Sequence, residues 1–190
     1  MNKTVLLDVD GVLANTGAAI HAYAERWFGR SFPKPETWQS YSFFQALGLT
    51  DLEAKAFDNM LRVTDEIGWT ITPYPGACTF VETLAAHRDV VFVTAPWGGL
   101  KHWVVARDSF LRNHFGRYVD VIYTGAKHRV HGDALLDDHP ETILKQPATA
   151  SLLSRGVLFD RPYNRGPESA GLRRVGDYDA ALDVLLEMTR

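Results

Sequence analysis

The chain alternates between short, unbroken apolar runs and longer stretches with helical spacing. Five runs read as strands: TVLLDV at 4–9, VVFVT at 90–94, YVDVIYT at 118–124, DALLDD at 133–138 and GVLFD at 156–160. Runs of this kind suit strands buried on both faces of a parallel sheet. Between them, Ala77, Phe80, Val81, Leu84 and Ala85 follow i, i+3, i+4, i+7, i+8, the stripe of an amphipathic helix. Leu100, Trp103, Val104 and Leu111 predict a second helix face, and Tyr178, Ala181, Leu182 and Leu185 a third over 178–188. The alternation predicts an α/β domain with a doubly wound, Rossmann-like parallel sheet.

One stretch breaks the rhythm. Between Gly11 and Pro75 no strong strand candidate occurs. Ile20, Tyr23, Ala24, Trp27 and Phe28 form a helical stripe, with Asn15 or Thr16 as its N-cap. FPKPETW is a proline-broken loop, and TDLEAKAFDNMLRV reads as a helix capped by Thr50 or Asp51. A helical insertion over 15–74 is expected to interrupt a core made of 1–14 and 75–190.

The chain's 190 residues, 46% hydrophobic, can bury one real core. Its net charge of -3 gives no electrostatic pull toward nucleic acid or an anionic membrane. A single cysteine, Cys78, excludes a disulfide within the chain and favours a reducing, cytoplasmic setting. The first residues lack the basic start and apolar length of a signal peptide, and no apolar run reaches the ~18 residues of a membrane span. Cys78 is expected to pack as a buried thiol on its helix.

The chemistry lies at the strand ends. The first strand delivers Asp8 and Asp10, then Gly11; the second ends in Thr94; Lys127 follows the third; the fourth ends in Asp137 and Asp138. Ligands of an open α/β sheet bind beyond the carboxyl ends of its strands. Each residue has an ordinary reading by itself: a glycine turn with solvated acids, a strand-end threonine, a surface lysine, a helix cap before Pro140. Together they match phosphoryl transfer, which needs an in-line nucleophile and neutralisation of the phosphoryl oxygens. Asp8 can attack phosphorus, and Asp10 can protonate the leaving oxygen and then take a proton from water. Asp8, Asp137 and the backbone carbonyl of Asp10 can hold Mg2+, a hard cation that prefers oxygen. Thr94 and Lys127 can hold the phosphoryl oxygens.

DVDGVLAN, Thr94, Lys127 and LLDDHP resemble the four motifs of the haloacid dehalogenase-like phosphohydrolases. With PYPGA, VTAP and LFDRPYNR added, the chain resembles the 5'(3')-deoxyribonucleotidases over nearly its whole length, the insertion corresponding to their small cap. The resemblance implies Asp8 as nucleophile and Asp10 as acid/base. It places Thr94, Ala95 and Lys127 at the phosphate, and Asp8, Asp10 and Asp137 on Mg2+. Asp138 stands behind them, positioning Lys127 or a water beside the ion. The expected activity is phosphomonoester hydrolysis, with a (deoxy)nucleoside monophosphate as substrate and the protein a monomer or homodimer. Alternatives are a phosphatase for another small metabolite, such as a sugar phosphate, or a non-catalytic binder of a phosphate ligand. Ala95 and Gly125 stand where mammalian members carry serine and arginine, which removes two polar contacts near the substrate.

Among the aromatics, Trp69 and Trp97 are placed to stack on a nucleobase or to pack between insertion and core, whereas Tyr41, Phe43 and Phe44 read as the insertion's own core. His128, His131 and His139 read as surface histidines, and Arg161 and Arg165 as solvated loop charges. Gly98 and Gly99 could begin a helix facing an anion or make room for the insertion.

Overall fold

The computed structural model describes residues 3–116, 120–145 and 155–190. Six parallel strands form one sheet: β1 (Thr4–Leu7), β2 (Asp89–Thr94), β3 (Val121–Tyr123), β4 (Ala134–Asp137), β5 (Gly156–Phe159) and β6 (Arg173–Val175). Their spatial order is β3-β2-β1-β4-β5-β6, with Leu7 of β1 in register with Phe92 on one side and Leu136 on the other. All five expected strands are present; the start of the third, at 118–119, lies outside the described residues. The sequence reading missed β6, whose Arg-Arg-Val carries no apolar run.

Successive strand residues face opposite sides of the sheet. Val5, Leu7 and Val9 join the main core with helices α4 (Ala77–Ala85), α5 (Trp103–Phe115) and α7 (Tyr178–Met188). Leu6, Val93 and Leu135 form a smaller cluster with Val91 and Val130. A short helix, α6 (Pro140–Leu144), touches β4 and β5.

On α5 the buried stripe is Trp103, Ala106, Arg107, Phe110, Leu111 and Phe115, whereas Val104, expected on that stripe, is 40% exposed. The reason is visible in the spacing: Arg107 occupies the i+4 position of the apolar face. Cys78 is exposed rather than packed, because the stripe of α4 runs through its neighbour Ala77 instead.

The segment between β1 and α4 holds α1 (Thr16–Phe28), α2 (Phe43–Ala46) and α3 (Asp51–Thr64). Asn15 caps α1 by accepting from Ala18 N–H, and Gly29 ends it in the left-handed conformation. Thr50 and Glu53 form a capping box at the start of α3. The chain enters and leaves this segment side by side: Asn15 N–H donates to Thr72 O and Tyr74 N–H to Leu13 O, both at 2.8 Å. At its far end Arg62 donates to Gly98 O at 2.9 Å. A Cβ on Gly99, which sits at φ +90°, would collide with the same guanidinium, so this glycine makes room for α3.

Candidate active site

β1, β2 and β4 point their carboxyl ends to one edge of the sheet, and the turn after β3 reaches the same edge. Asp8 follows β1 and is 2% exposed; Thr94 and Asp137 close β2 and β4 and are fully buried. Lys127 lies on a 3-10 turn, Lys127–Arg129, with its ammonium 2.6 Å from Asp8 Oδ1 and 3.2 Å from Asp137 Oδ2. The local backbone supports both acids. Val9 N–H donates to Asp8 Oδ1 at 2.6 Å, and His139 N–H donates to Asp137 Oδ1 at 2.8 Å.

Burial raises the Asp8 carboxyl well above the ordinary range; the charge of Asp137 adds to this, and Lys127 opposes it. Burial likewise works against the charge of Lys127, but Asp8 and Asp137 outweigh it and hold the ammonium protonated. Asp138 is pushed up to about 7 by burial and by its neighbour Asp137.

Asp138 belongs to this cluster more closely than expected. Oxygens of Asp8, Asp137 and Asp138 lie within 4.8 Å of one another, and the Asp10 carboxylate is not part of that group. The charge of Asp138 helps to hold the Lys127 ammonium protonated, but its described hydrogen bond is from the Tyr163 hydroxyl to Oδ2, and its Oδ1 is buried with no partner among the described residues. Asn164 ties the backbone here, donating to the carbonyls of Asp138 and Phe159, both at 2.8 Å.

Three buried carboxylates therefore share one ammonium, and one of their oxygens has no partner. Such an arrangement is costly without a further cation. An all-oxygen donor set suits a hard divalent ion. The residues present fit the metal that the sequence implies, through the side chains of Asp8, Asp137 and Asp138; no histidine belongs to the group.

Asp10 faces a different set of partners. Its Oδ1 accepts from Thr16 at the start of α1 and from Arg107 on α5. Its Oδ2 lies 3.4 Å from the Thr94 hydroxyl. Gly11, at φ +74°, makes the turn that follows, and a Cβ there would collide with Asp138 Oδ2. Arg161 Nε donates to Gly11 O at 2.6 Å, with its guanidinium 4.1 Å above the Tyr74 ring. Arg161 is thus a fixed part of the site rather than a solvated loop charge.

A cavity of about 580 Å³ opens from Asp10 and Asp138 between insertion and core. Phe43, Trp97 and Trp103 form one wall, with ring centroids 5.2 and 5.3 Å apart in turn, and Tyr41 and Tyr163 stand nearby. Trp97 lines this cavity; Trp69, 53% exposed on a 3-10 turn, does not. Tyr41 and Phe43, expected as the insertion's own core, line it, and Tyr41 is 55% exposed. A second cleft, about 250 Å³, lies between Lys127, Tyr41 and His139, with Ala95 and Gly125 leaving it open. His139 is half-buried there against the Tyr41 ring, while His131 is exposed. Arg107 and Tyr163 escaped the sequence reading as site residues, since nothing local marks a partner so distant along the chain; Thr16, close to Asp10 in sequence, was read only as a possible helix cap.

Fold and site together define a haloacid dehalogenase-like hydrolase. The model of the family described as 5' nucleotidase, deoxy (pyrimidine), cytosolic type C protein matches residues 2–189, and the chain belongs to that family. It is accordingly a phosphoric monoester hydrolase of the 5'-nucleotidase-like class. Its fold is shared by a haloacid dehalogenase-like hydrolase from Streptococcus pneumoniae, 11% identical with a TM-score of 0.60 over 96% of this chain and 97% of the other. Mycobacterium tuberculosis protein tyrosine kinase A aligns at a TM-score of 0.64 and 16% identity, covering 97% of this chain and 98% of that one. A haloacid dehalogenase-family hydrolase from Deinococcus radiodurans R1, solved with bound phosphate and sodium, aligns at 0.55 and 14% identity over 98% and 96%. No curated protein matches the chain in sequence. Phosphatases of this class generally use a divalent metal, in keeping with the acidic cluster. No helix among the described residues is long and apolar enough to cross a membrane.

Proposed function

We propose that the chain is a Mg2+-dependent cytoplasmic phosphomonoesterase that dephosphorylates small (deoxy)nucleoside monophosphates through an aspartyl-phosphate on Asp8. The observation that carries this reading is the buried Asp8–Lys127–Asp137 cluster, whose chain neighbours Asp10 and Asp138 line an aromatic-walled cavity. Residues 15–74 act as the cap over a core made of 1–14 and 75–190.

In the first step a carboxylate oxygen of Asp8 bonds to phosphorus as the ester P–O bond breaks. Asp10 gives its proton to the departing oxygen. In the second step water attacks the phosphorus of the aspartyl-phosphate, Asp10 takes the water's proton, and the P–O bond to Asp8 breaks. Asp8 and Asp10 are then restored. Lys127 and the Thr94 hydroxyl bind phosphoryl oxygens, and the dry surroundings strengthen both contacts. Asp8, Asp137 and Asp138 would hold Mg2+, whose charge would offset that of the phosphoryl group beside the Asp8 carboxylate.

Every monoester can make the phosphoryl contacts equally, so preference among substrates falls to the cavity. Its wall of Phe43, Trp97 and Trp103 suits a flat leaving group, and stacking of one base contributes about 1–3 kcal/mol in nucleic-acid proteins. The test is a panel of deoxy- and ribonucleoside monophosphates beside sugar phosphates, with Mg2+ added after chelation. Wild-type protein is expected to hydrolyse nucleotides, with broad base preference because Ala95 and Gly125 offer no polar side chain. Asp8→Asn is expected to fold and to show background turnover. Good activity on sugar phosphates with none on any nucleotide would overturn the substrate assignment, and steady turnover by pure Asp8→Asn would overturn the covalent step.

A further inference from the structure

Arg107 stands out from every other cation in the described molecule. It is 2% exposed and lies in the middle of the apolar stripe of α5. Burying a guanidinium costs several kcal/mol unless it is well paired. Its one described polar partner is Asp10 Oδ1, and its Nε and Nη1 have none. The rings of Trp103 and Phe110, 4.7 and 5.4 Å from the guanidinium carbon, offset part of the cost. An aliphatic residue would suit this stripe better, so packing alone does not explain the arginine.

We propose that Arg107 is a positioning residue that fixes which oxygen of the Asp10 carboxylate faces the reacting centre. The inference rests on the reading of Asp10 as the acid/base. Arginine is always charged and only donates hydrogen bonds. Asp10 Oδ1 receives Arg107 and the Thr16 hydroxyl together. With both donors on Oδ1, that oxygen is turned away from the reacting centre. Oδ2 is the oxygen left facing the cleft. That oxygen has a single long contact, 3.4 Å from the Thr94 hydroxyl, which is the group assigned to the phosphoryl oxygens. Arg107 thus holds the carboxylate with its free oxygen beside the reacting centre, without touching substrate itself. Remove it, and the carboxylate can rotate and present either oxygen.

The experiment compares wild type, Arg107→Met and Arg107→Lys on two small monoesters, 4-nitrophenyl phosphate and glycerol phosphate. The aryl ester leaves with little need of a proton; the alkyl ester needs one. General acid–base catalysis contributes about 10²–10⁴-fold, so a misplaced acid should cost Arg107→Met on the order of 10–100-fold in kcat on the alkyl ester. The aryl ester should lose at most about threefold, with KM within about twofold for both, since uniform binding is untouched. Arg107→Lys, which keeps a buried donor cation, should recover part of the alkyl rate. In an Asp10→Asn background the Arg107 substitutions should add nothing, as residues acting through one group are non-additive.

Equal losses on both esters, or a full additional loss in the Asp10→Asn background, would overturn the role of Arg107. If Arg107→Met does not fold, Arg107→Lys and the Asp10→Asn cycle decide the same question. Wild-type protein that hydrolyses neither ester would instead overturn the reading of the site as a phosphatase.

Discussion

At the scale of single residues, the site depends on side chains that have no room to move. Gly11 is the clearest case. Its φ of +74° is strained for any residue with a Cβ, by roughly 1–2 kcal/mol, and the added carbon would also strike Asp138 Oδ2. Gly11→Ala is expected to displace Asp138 and the Tyr163 hydroxyl that donates to it. Its melting temperature should fall and its half-saturating Mg2+ concentration should rise. Calorimetry and a metal titration of the same sample check both; unchanged metal affinity would mean that the turn does not position Asp138. The aspartates and this glycine were legible in the sequence because their chemistry is local to one strand end. Arg107 was not, because a charged residue on a helix reads as solvent-facing until the surrounding side chains are known.

At the scale of elements, helix ends were read more accurately than helix faces. The start of α3 was read at Thr50 or Asp51; Thr50 is the cap, and Glu53 completes a capping box with both hydrogen bonds present. Thr50→Ala is expected to lower stability by about 1 kcal/mol while leaving kcat on a small aryl phosphate unchanged. Urea unfolding with the slope held constant measures the first, and steady-state hydrolysis the second. A cap signal is legible because all its partners lie within a few residues. The face of α5 was misread at one residue, with Val104 taken as buried in place of Arg107. β6 was missed because an edge strand of three residues needs no apolar alternation; its Arg174 is instead fixed by Asp160, Asn164 and Ser169 in the loop after β5.

At the scale of the whole molecule, the buried acids couple folding to cation and to pH. Asp8 and Asp138 have folded pKa values above their unfolded ones, so the folded protein binds the extra protons and stability falls as pH rises through that window. For Asp138 the window runs from about 3.9 in the unfolded chain to about 7 in the folded protein. Asp160, held low by hydrogen bonds from Arg165 and then Arg174, has the opposite slope, but only below the ordinary carboxylate range. Chelated protein should therefore melt lower at about pH 8 than at about pH 5.5, with Mg2+ raising the melting temperature most at the higher pH. Differential scanning calorimetry at both pH values, with and without Mg2+, is the check. A chelated protein no less stable at the higher pH would contradict a cluster strained by its own charge.

The order of strands and helices, the parallel α/β class and the acids, hydroxyl and ammonium at the strand ends were set by sequence alone. Periodicity and strand-end chemistry are short-range properties, and a parallel sheet carries its strand ends to one edge whatever the loops do. Other features needed tertiary contacts. Trp97 lines the cavity and Trp69 does not; Tyr41 and Phe43 turn toward it; Tyr163 reaches Asp138; Arg107 reaches Asp10 across 97 residues of chain. Helical spacing tells which side chains share a face, but not what that face meets, and the meaning of a buried charge lies in the partner it meets.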